Sequence, residues 1–447
     1  MMVRVLVPSG ALGLGYDTEA LDRAIAAGPD LIAIDGGSTD SGPSYLGRGV
    51  SKYARESTKA EWRGLIEARA KAGCPLVIGT AGTSGTDSTV DWLYDITVEI
   101  LSELGQSARV ARLYSEQNPD AVAKAALTPL SGAPQVTPED IAGCTHVVAL
   151  AGAEQINAAL ETGADIVIAG RTTDTAIIAA LPIARGCDAG AAWHGAKIGE
   201  CGALCATNPQ SGVILVDFDE AGFTITPMAE GANATPHTVS AHMLYENSDP
   251  FILYEPGGHL DVNEAHYTAL DTRRVRVEGS VWVPSETYIV KLEGARIAGY
   301  QTLVMAILRD PRYLANLDDW CADILEKHRA KVDERMTLDP GAWHAELRVI
   351  GQDSNLGALE NRRADPVELG VMAILTGPDQ ATANTLGKLM NPYLLHHPLT
   401  REEEQPTFAF PFSPAEIDRG AAYEFVLHHV MALSDPMEAF RLEVDNV

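Results

Sequence analysis

Three short segments within the first 175 residues combine hydroxyl, carboxyl and glycine residues, and each directly follows a run of apolar residues. They are Asp35–Asp40, Gly79–Asp87 and Gly170–Asp174. Loops that follow parallel strands open on the same edge of a sheet, so loops of this kind converge on one ligand. The sequence therefore predicts a single site for a small anionic molecule.

The second segment has the composition of an anion-binding loop before a helix. Small residues leave backbone N–H groups free to point at a ligand beside the positive end of the helix dipole. The segment lacks the lysine of a P-loop and the Gly-x-Gly-x-x-Gly of a dinucleotide fold, which argues against a nucleotide. A tight turn in which Thr86 or Asp87 caps the helix is the alternative. The predicted ligand contacts are Gly82, Thr83, Ser84, Gly85, Thr86 and Asp87.

The third segment places an arginine at a strand end. Arg171 could hold a carboxylate with two parallel hydrogen bonds, while Asp174 could orient it or act as a base. Thr172 and Thr173 are predicted to contact the substrate beside them. The alternative is an Arg–Asp pair that caps the following helix.

The first segment offers two carboxylates, Asp35 and Asp40, and two hydroxyls, Ser38 and Thr39. The carboxylates could coordinate a hard cation such as Mg²⁺. A glycine-rich turn with Asp40 as its cap is the alternative. The two hydroxyls are predicted substrate contacts. Apart from such a cation, the sequence indicates no cofactor.

A fourth segment, Trp193–Cys205, collects further reactive side chains. Glu200 or His194 could transfer protons, and Cys201 could be a nucleophile if a neighbouring cation lowered the pKa of its thiol. Cysteines are most often small buried hydrophobes, which is the alternative for Cys201. The Cys-x₃-Cys spacing argues against a structural zinc site.

The pattern of apolar residues predicts the strands and helices that position these side chains. Residues 1–205 alternate short Val/Ile/Leu runs with helical patterns, which predicts an α/β domain with a parallel sheet covered by helices on both faces. Residues 206–447 predict a second, α+β domain that closes over the site. Within it we expect a hairpin at 213–226, helices at Leu303–Leu308 and Gln380–Leu394, and a last helix after the proline-rich stretch 406–414.

Composition limits the function classes. A net charge of −28 over 447 residues argues against binding nucleic acid or an anionic membrane surface. We find neither an apolar run of membrane-spanning length nor a signal peptide, and six scattered cysteines suit a reducing compartment. We therefore expect a cytoplasmic protein that handles small molecules and forms a homo-oligomer.

Three motifs in this order resemble the AtuA (acyclic terpene utilisation) family: Ile78–Gly85, Gly163–Asp174 and Gly199–Gly202. Segments 244–250 and 288–294 are similar to the family pattern as well. The resemblance implies a place in the breakdown of branched, unsaturated acids as CoA thioesters. Some longer relatives carry a small extra module, so the resemblance also implies a small partner subunit.

The reading favoured by these residues is a lyase or isomerase that hydrates, dehydrates or isomerises a small branched or unsaturated acid or its CoA thioester. The loop amides would hold an oxyanion, Arg171 a carboxylate, and Glu200 or Asp174 would move the proton. Two alternatives remain open. One is an acyl or amide hydrolase using Cys201 with His194, and the other is a non-catalytic large subunit that binds a metabolite.

Overall fold

The computed structural model describes residues 2–133, 135–362 and 365–447. The chain divides into two compact units. Unit 1 comprises the chain up to Arg296 together with Phe425–Val447, and unit 2 comprises Ile297–Glu424. The chain passes from one unit to the other within two long strands, Tyr288–Leu308 and Glu416–Leu433.

The helices and strands follow in chain order. The first part of the chain contains β1 (Val3–Val7), α1 (Thr18–Ala26), β2 (Leu31–Asp35), α2 (Pro43–Arg48), α3 (Arg55–Ala72), β3 (Leu76–Gly79), α4 (Asp87–Leu104), β4 (Arg109–Tyr114), β5 (Glu116–Gln117), α5 (Pro119–Val122), β6 (Leu127–Pro129), α6 (Pro138–Ala142), β7 (His146–Ala149), α7 (Ala153–Glu161), β8 (Ile166–Ala169), α8 (Ala176–Ala184) and α9 (Ala189–Gly199). The remainder contains β9 (Ile214–Phe218), β10 (Gly222–Pro227), α10 (Pro236–Ala241), β11 (Ile252–Glu255), β12 (Gly258–Asp261), β13 (His266–Ala269), β14 (Val275–Glu278), β15 (Val281–Pro284), β16 (Tyr288–Leu308), α11 (Pro311–Ala315), α12 (Leu317–Arg335), β17 (His344–Ile350), β18 (Leu369–Gly377), α13 (Gln380–His396), β19 (Glu416–Leu433) and β20 (Arg441–Asn446).

Unit 1 is organised around a ten-stranded sheet in the order β13-β14-β10-β9-β1-β2-β3-β8-β4-β20. Its five central strands, from β1 to β4 in that order, are parallel, and the flanking strands pair antiparallel. The central strands are short runs of Val, Ile and Leu buried on both sides, as parallel strands between helical layers must be. The predicted parallel sheet is confirmed.

Both faces of this sheet are covered by helices. Alternate residues of one strand point to opposite sides, so in β1 Val5 packs into one core and Leu6 into the other. The core that contains Val5 includes residues of α7, α8 and α9, and the core that contains Leu6 includes residues of α1, α3 and α4. The helices α1, α3 and α4 bury one face against the sheet, whereas α9 is buried almost all round.

The strands after residue 205 extend the same sheet. The predicted hairpin is present as β9 and β10, and β9 pairs with β1 over Val3↔Phe218 to Val7↔Ile214. The boundary that the sequence suggested near residues 205–210 therefore lies inside unit 1. A separate three-stranded antiparallel sheet, β11-β12-β15, also belongs to unit 1.

Unit 2 is α+β, with an antiparallel pairing of β17, β18 and residues 300–308 of β16, and with α11, α12 and α13. The predicted helix at Leu303–Leu308 is wrong, because this run is strand and pairs with β18 from Leu303↔Ile374 to Leu308↔Leu369. The predicted last helix is also wrong, since β19 and β20 follow the proline-rich stretch. The helix predicted at Gln380–Leu394 is confirmed as α13.

Across the part of the chain that the structure describes, every helix is too short or too polar to cross a bilayer.

Candidate functional site

The three loops meet at the carboxyl edge of the parallel strands. Gly36 N donates to the Gly79 carbonyl at 2.7 Å, and Thr80 N donates to the Gly170 carbonyl at 2.8 Å. The Thr83 hydroxyl donates to the Gly36 carbonyl at 3.4 Å. Backbone and side-chain hydrogen bonds therefore join the loops after β2, β3 and β8 directly to one another.

The glycines of the second loop serve this close approach. Gly85 has a φ of +64°, and a Cβ placed on it would lie 2.2 Å from the Arg171 nitrogen. Only glycine fits where two backbones approach so closely in a left-handed conformation. The close packing of the loops thus explains the glycines of the second loop, which the sequence alone attributes to anion binding.

Most polar groups of the second loop are used within the protein. The Thr86 hydroxyl lies 2.9 Å from that of Ser88 and 3.2 Å from that of Thr89, and the Ser84 hydroxyl lies 3.4 Å from that of Thr86. Asp87 N, in the first turn of α4, donates to Glu116. Of the six residues predicted to contact a ligand here, Thr83 lines the cavity described below, whereas Gly82, Ser84, Gly85, Thr86 and Asp87 are not among its lining residues.

Arg171 is buried and its guanidinium binds Glu293 of β16. Its Nε donates to Glu293 Oε2 at 3.0 Å and its Nη2 donates to Oε1 at 3.4 Å. Nη1 donates to the Thr172 carbonyl at 3.0 Å and to the Thr80 hydroxyl at 3.2 Å. Arg171 and, more weakly, Lys291 hold the pKa of Glu293 far below its usual range, against the effect of burial. Arg171 is thus the centre of a buried network that joins the loops to β16.

The first loop joins this network through Thr39, whose hydroxyl donates to Glu293 Oε2 at 2.9 Å. Ser38 lines the cavity, and its hydroxyl accepts from Asp40 N at 3.1 Å. The Thr173 hydroxyl lies 3.0 Å from that of Thr175, and Thr172 is fully buried beside the guanidinium. Ser38 is therefore the only one of these four predicted contacts that lines the cavity among the described residues.

A cavity of about 300 Å³ opens at this edge of the sheet. Its walls include the loops after β1 and β2, the segment after α9, the turn at 209–212 and the Tyr245–Glu246 segment. Exposed apolar side chains, Leu14, Leu204 and Tyr245, stand at its rim. The lining residues are Ser9, Gly10, Ala11, Leu14, Gly15, Asp35, Gly37, Ser38, Ser41, Lys52, Tyr53, Thr83, Asp174, Cys201, Leu204, Pro209, Gln210, Gly212, Tyr245 and Glu246.

Two carboxyl groups, those of Asp35 and Asp174, line this cavity. Asp35 Oδ2 accepts from Gly37 N at 2.9 Å, and its buried Oδ1 has no hydrogen-bond partner among the described residues. Burial and the neighbouring Asp174 raise the pKa of Asp35 well above its usual range, against the opposing effect of Arg171. Burial also raises the pKa of Asp174, whereas Arg171 and Lys197 lower it. Carboxyl groups that disfavour each other's charge can exchange a proton with a ligand.

A second group of reactive side chains surrounds the end of α9. Lys197 Nζ donates to Glu200 Oε1 at 2.5 Å and to the Tyr245 carbonyl at 2.8 Å. Burial raises the pKa of Glu200 to about 8, although Lys197 opposes the shift. Burial, Glu200 and Asp174 also raise the pKa of the Cys201 thiol. Cys201 lines the cavity, so this group lies beside the two aspartates.

Glu255, at the end of β11, is an acid that sequence reasoning missed. Its Oε1 accepts from the Thr175 hydroxyl at 2.5 Å, while Oε2 is buried without a partner in the described chain. Burial raises the pKa of Glu255 to about 7. Glu293 was missed in the same way. A single acid within an apolar strand, as in β16, is the signal that could have found Glu293.

His194 does not belong to this site. Its Nδ1 lies 2.7 Å from the Ser280 hydroxyl and its Nε2 lies 3.1 Å from the Tyr267 hydroxyl, and its ring packs edge-on to Phe223. Burial lowers the pKa of His194 to about 3. It is a neutral histidine of the core, paired through both ring nitrogens.

Potential metal ligands gather at the end of α9 rather than in the first loop. Among residues 2–133, 135–362 and 365–447, Glu200, Cys201 and His242 are the one group of three whose ligand atoms all lie within 4.8 Å of one another. Asp35 and Asp40, the cation ligands suggested by the sequence, form no such group there. Asp40 is exposed, whereas Asp35 is buried.

Comparison with known proteins agrees with the motifs in these loops. Residues 50–407 match the sequence profile of the family described as "Acyclic terpene utilisation family protein AtuA". This match spans most of the chain, which therefore belongs to that family. No match was found among curated proteins or among solved structures.

Proposed function

We propose that this member of the AtuA family adds or removes water, or moves a double bond, on a small branched or unsaturated carboxylic acid or its CoA thioester. The observation that carries the proposal is the pair of carboxyl groups, Asp35 and Asp174, that line one cavity at the carboxyl edge of the sheet. Such reactions need a base for the proton beside the carbonyl carbon and an acid for the departing hydroxyl or the distal carbon.

The two aspartates can divide these roles. Asp174 as a carboxylate takes the proton from the carbon next to the carbonyl, and the electron pair of that C–H bond forms the double bond. Asp35 as a neutral acid gives its proton to the hydroxyl, whose C–O bond breaks as water leaves. Proton exchange with solvent then resets the pair. In an isomerisation the acid instead protonates the distal carbon, and no water leaves.

Lys52 supplies the cation for the substrate. Among the lining residues that the structure describes it is the one basic side chain, and its Nζ donates to the uncharged Ser41 hydroxyl at 3.0 Å. Arg171 is occupied by Glu293, so in this proposal it positions the loops instead of binding the substrate. A carboxylate or thioester oxygen would approach Lys52 from the open side of the cavity.

The hydrolase alternative receives less support from the geometry. Its base, His194, bonds to Ser280 and Tyr267 rather than to Cys201. A second base beside the thiol would be needed, and Lys197 is already engaged with Glu200 and the Tyr245 carbonyl. The cavity therefore fits proton transfer by carboxyl groups better than attack by a thiol.

The test combines binding and turnover with a panel of small branched and unsaturated acids and their CoA thioesters. A ligand present at ~100 times its Kd stabilises the folded protein by about 2.7 kcal/mol, which a thermal shift detects. We expect Asp174→Asn to bind the hit but to lower kcat by about 10²–10⁴-fold, the usual contribution of a general acid or base. The exposed Asp95→Asn, on α4, is the matched control and should keep wild-type kcat.

Lys52→Ala should raise KM with little change in kcat, because a uniform binding contact is lost. Tight binding without any turnover by the wild-type protein would instead identify a metabolite-binding subunit and contradict the enzyme. Full turnover by Asp174→Asn would contradict the role of the aspartates.

A further inference from the structure

We infer that Glu200, Cys201 and His242 form a binding site for one divalent transition-metal ion such as Zn²⁺ or Fe²⁺. The ligand atoms of the three side chains lie within 4.8 Å of one another. A tetrahedral ion bonded at about 2.0–2.3 Å holds its ligand atoms about 3.3–3.8 Å apart, so the side chains would close by about 1 Å on binding. Glu200 and Cys201 follow α9 directly, and His242 follows α10.

An independent observation comes from His242. The residue is 6% exposed, and its Nε2 has no hydrogen-bond partner within the described ranges. A buried polar atom without a partner costs free energy, so such atoms usually mark a missing ligand or water. The ring stacks on Tyr245 with an interplanar angle of 7°, which fixes its plane. A metal ion in the cluster would satisfy the imidazole.

The neighbouring charges allow a dication despite the nearby Lys197. A Glu200 carboxylate and a Cys201 thiolate together compensate an ion of charge +2. Lys197 contacts Glu200 through Oε1, so Oε2 is available to the metal and the lysine fixes the carboxylate from outside. Asp174 and Glu246 line the adjoining cavity and offset the lysine charge.

The donor set selects the class of metal. Sulfur, imidazole and one carboxylate suit Zn²⁺, Fe²⁺ or Co²⁺, whereas Mg²⁺ and Ca²⁺ prefer oxygen ligands. Binding breaks the S–H bond of Cys201 and forms a metal–sulfur bond, and the proton is released to solvent. No change of oxidation state is involved.

Three protein ligands leave a coordination position open, as in catalytic metal sites. Because Cys201 lines the cavity, this position would be open to a substrate oxygen there. The ion would then polarise the carbonyl next to the carbon that loses its proton. This catalytic use rests on the proposed function, whereas binding of the metal does not.

The experiment is a Co²⁺ titration of the full chain after removal of bound metal by chelation under reducing conditions. We expect one equivalent of Co²⁺ to bind, with a thiolate-to-cobalt absorption band in the near ultraviolet. Cys201→Ser should abolish that band. His242→Gln should weaken Co²⁺ binding by at least about 100-fold, since even outer partners of metal ligands contribute 10–100-fold.

Two matched variants serve as controls. Cys321→Ser lies in unit 2, and His237→Gln changes an exposed histidine of α10. Both should bind Co²⁺ like the wild type, and circular dichroism identifies variants that fail to fold. Should His242→Gln fail to fold, a Zn²⁺-induced rise in Tm of the wild type that Cys201→Ser lacks supports the site.

The absence of Co²⁺ binding, or binding that all four variants retain, would overturn the inference. Activity is a separate readout. Metal-free protein with full turnover would overturn only the catalytic use of the ion, and tight Co²⁺ binding in a protein without turnover would contradict the proposed function but support the site.

Discussion

At the scale of single residues, Arg171 shows how burial changes the meaning of a charged side chain. An arginine at a strand end is well placed to bind a substrate carboxylate, and the sequence suggests that role. The folded chain supplies its own carboxylate instead, since Glu293 binds the guanidinium through two oxygens. The partner comes from a strand more than 100 residues away, and no local pattern connects the two.

The buried pair leads to a prediction on stability. Arg171→Met should lower the free energy of unfolding by about 3–5 kcal/mol, because it leaves the Glu293 charge buried beside Lys291 alone. The double variant Arg171→Met/Glu293→Gln should recover part of that loss, since the buried carboxylate is gone and only the partly exposed Lys291 loses its partner. Urea unfolding of the wild type, Arg171→Met, Glu293→Gln and the double variant measures these changes in the free energy of unfolding. A double variant no more stable than Arg171→Met would contradict this account of the pair.

His194 leads to a prediction on pH. Burial lowers its folded-state pKa to about 3, whereas an unfolded histidine titrates near 6.5. Between these values the unfolded chain binds a proton that the folded protein does not, so stability falls as the pH falls below 6.5. Relative to His194→Gln, the free energy of unfolding of the wild type should fall by up to about 1.4 kcal/mol for each unit by which the pH is lowered below 6.5. Unfolding curves of the two proteins at pH 7, 6 and 5 measure their free energies of unfolding. An equal loss of stability in both proteins as the pH falls would contradict the prediction.

Sequence reasoning singled out those residues at strand and helix ends that lie at or beside the cavity. Asp35 ends β2, while Asp174 and Glu200 follow β8 and α9, and their positions are readable from apolar runs that end in polar residues. Glu255 and Glu293 were missed because they approach these loops from distant segments. Their contribution depends on tertiary contacts that local spacing does not encode.

At the scale of elements, the glycine-rich loops act mainly as packing surfaces. The second loop can lie against the third because Gly85 has no Cβ to meet the Arg171 backbone. Aligning three loops in this way fixes Asp35, Thr83 and Asp174 around one cavity. The edge of the parallel sheet thus provides the rigid support that the proposed proton transfer needs.

A glycine comparison tests this role. Gly85 and Gly105 both have φ near +60°, but a Cβ on Gly105 would meet nothing within 4 Å. Alanine at either position adds the strain of a left-handed backbone, about 1–2 kcal/mol. Gly85→Ala should lower the free energy of unfolding by a further ~1–3 kcal/mol, because the new Cβ forces the second and third loops apart. Thermal unfolding of both variants measures the difference, and equal losses would contradict close loop packing as the reason for the glycine.

The central strands were predictable as elements, whereas Leu303–Leu308 was not. A short apolar run can be a buried strand or a buried helix, and periodicity does not separate them. In β16 alternate residues from Val304 to Leu308 are buried, because the strand lies in an antiparallel sheet with α12 and α13 packed on one face. The pairing with β18, from Leu303↔Ile374 to Leu308↔Leu369, decides the structure.

At the scale of the whole molecule, the first and the last strand of the chain both belong to the ten-stranded sheet of unit 1. The C-terminal strand β20 completes the ten-stranded sheet by pairing with β4, from Arg441↔Tyr114 to Asn446↔Arg109. The sequence did not predict this, because a pairing over more than 300 residues leaves no local signal. The strand also covers what would otherwise be an open edge of the sheet.

Removal of residues 441–447 should therefore lower Tm and promote aggregation, because β4 becomes an exposed edge strand. The matched control, Arg441→Ala, keeps the strand and loses the exposed ion pairs with Asp87 and Glu443 and the stacking on the Tyr114 ring, together worth ~1–2 kcal/mol. Differential scanning calorimetry and light scattering compare the two proteins. A truncated protein with the Tm and solubility of Arg441→Ala would contradict a structural role for β20.

The central claim, that the aspartates at this cavity transfer protons to and from a carboxylic acid or its thioester, has a direct test. Wild-type protein is incubated in D₂O with the panel of branched and unsaturated acids and CoA thioesters, and ¹H NMR follows exchange at carbon. The account predicts deuterium at the carbon next to the carbonyl, with unchanged rates for Asp95→Asn and rates at least ~100-fold lower for Asp174→Asn. A panel member that binds the wild type without any exchange, or equal exchange by Asp174→Asn, would contradict it.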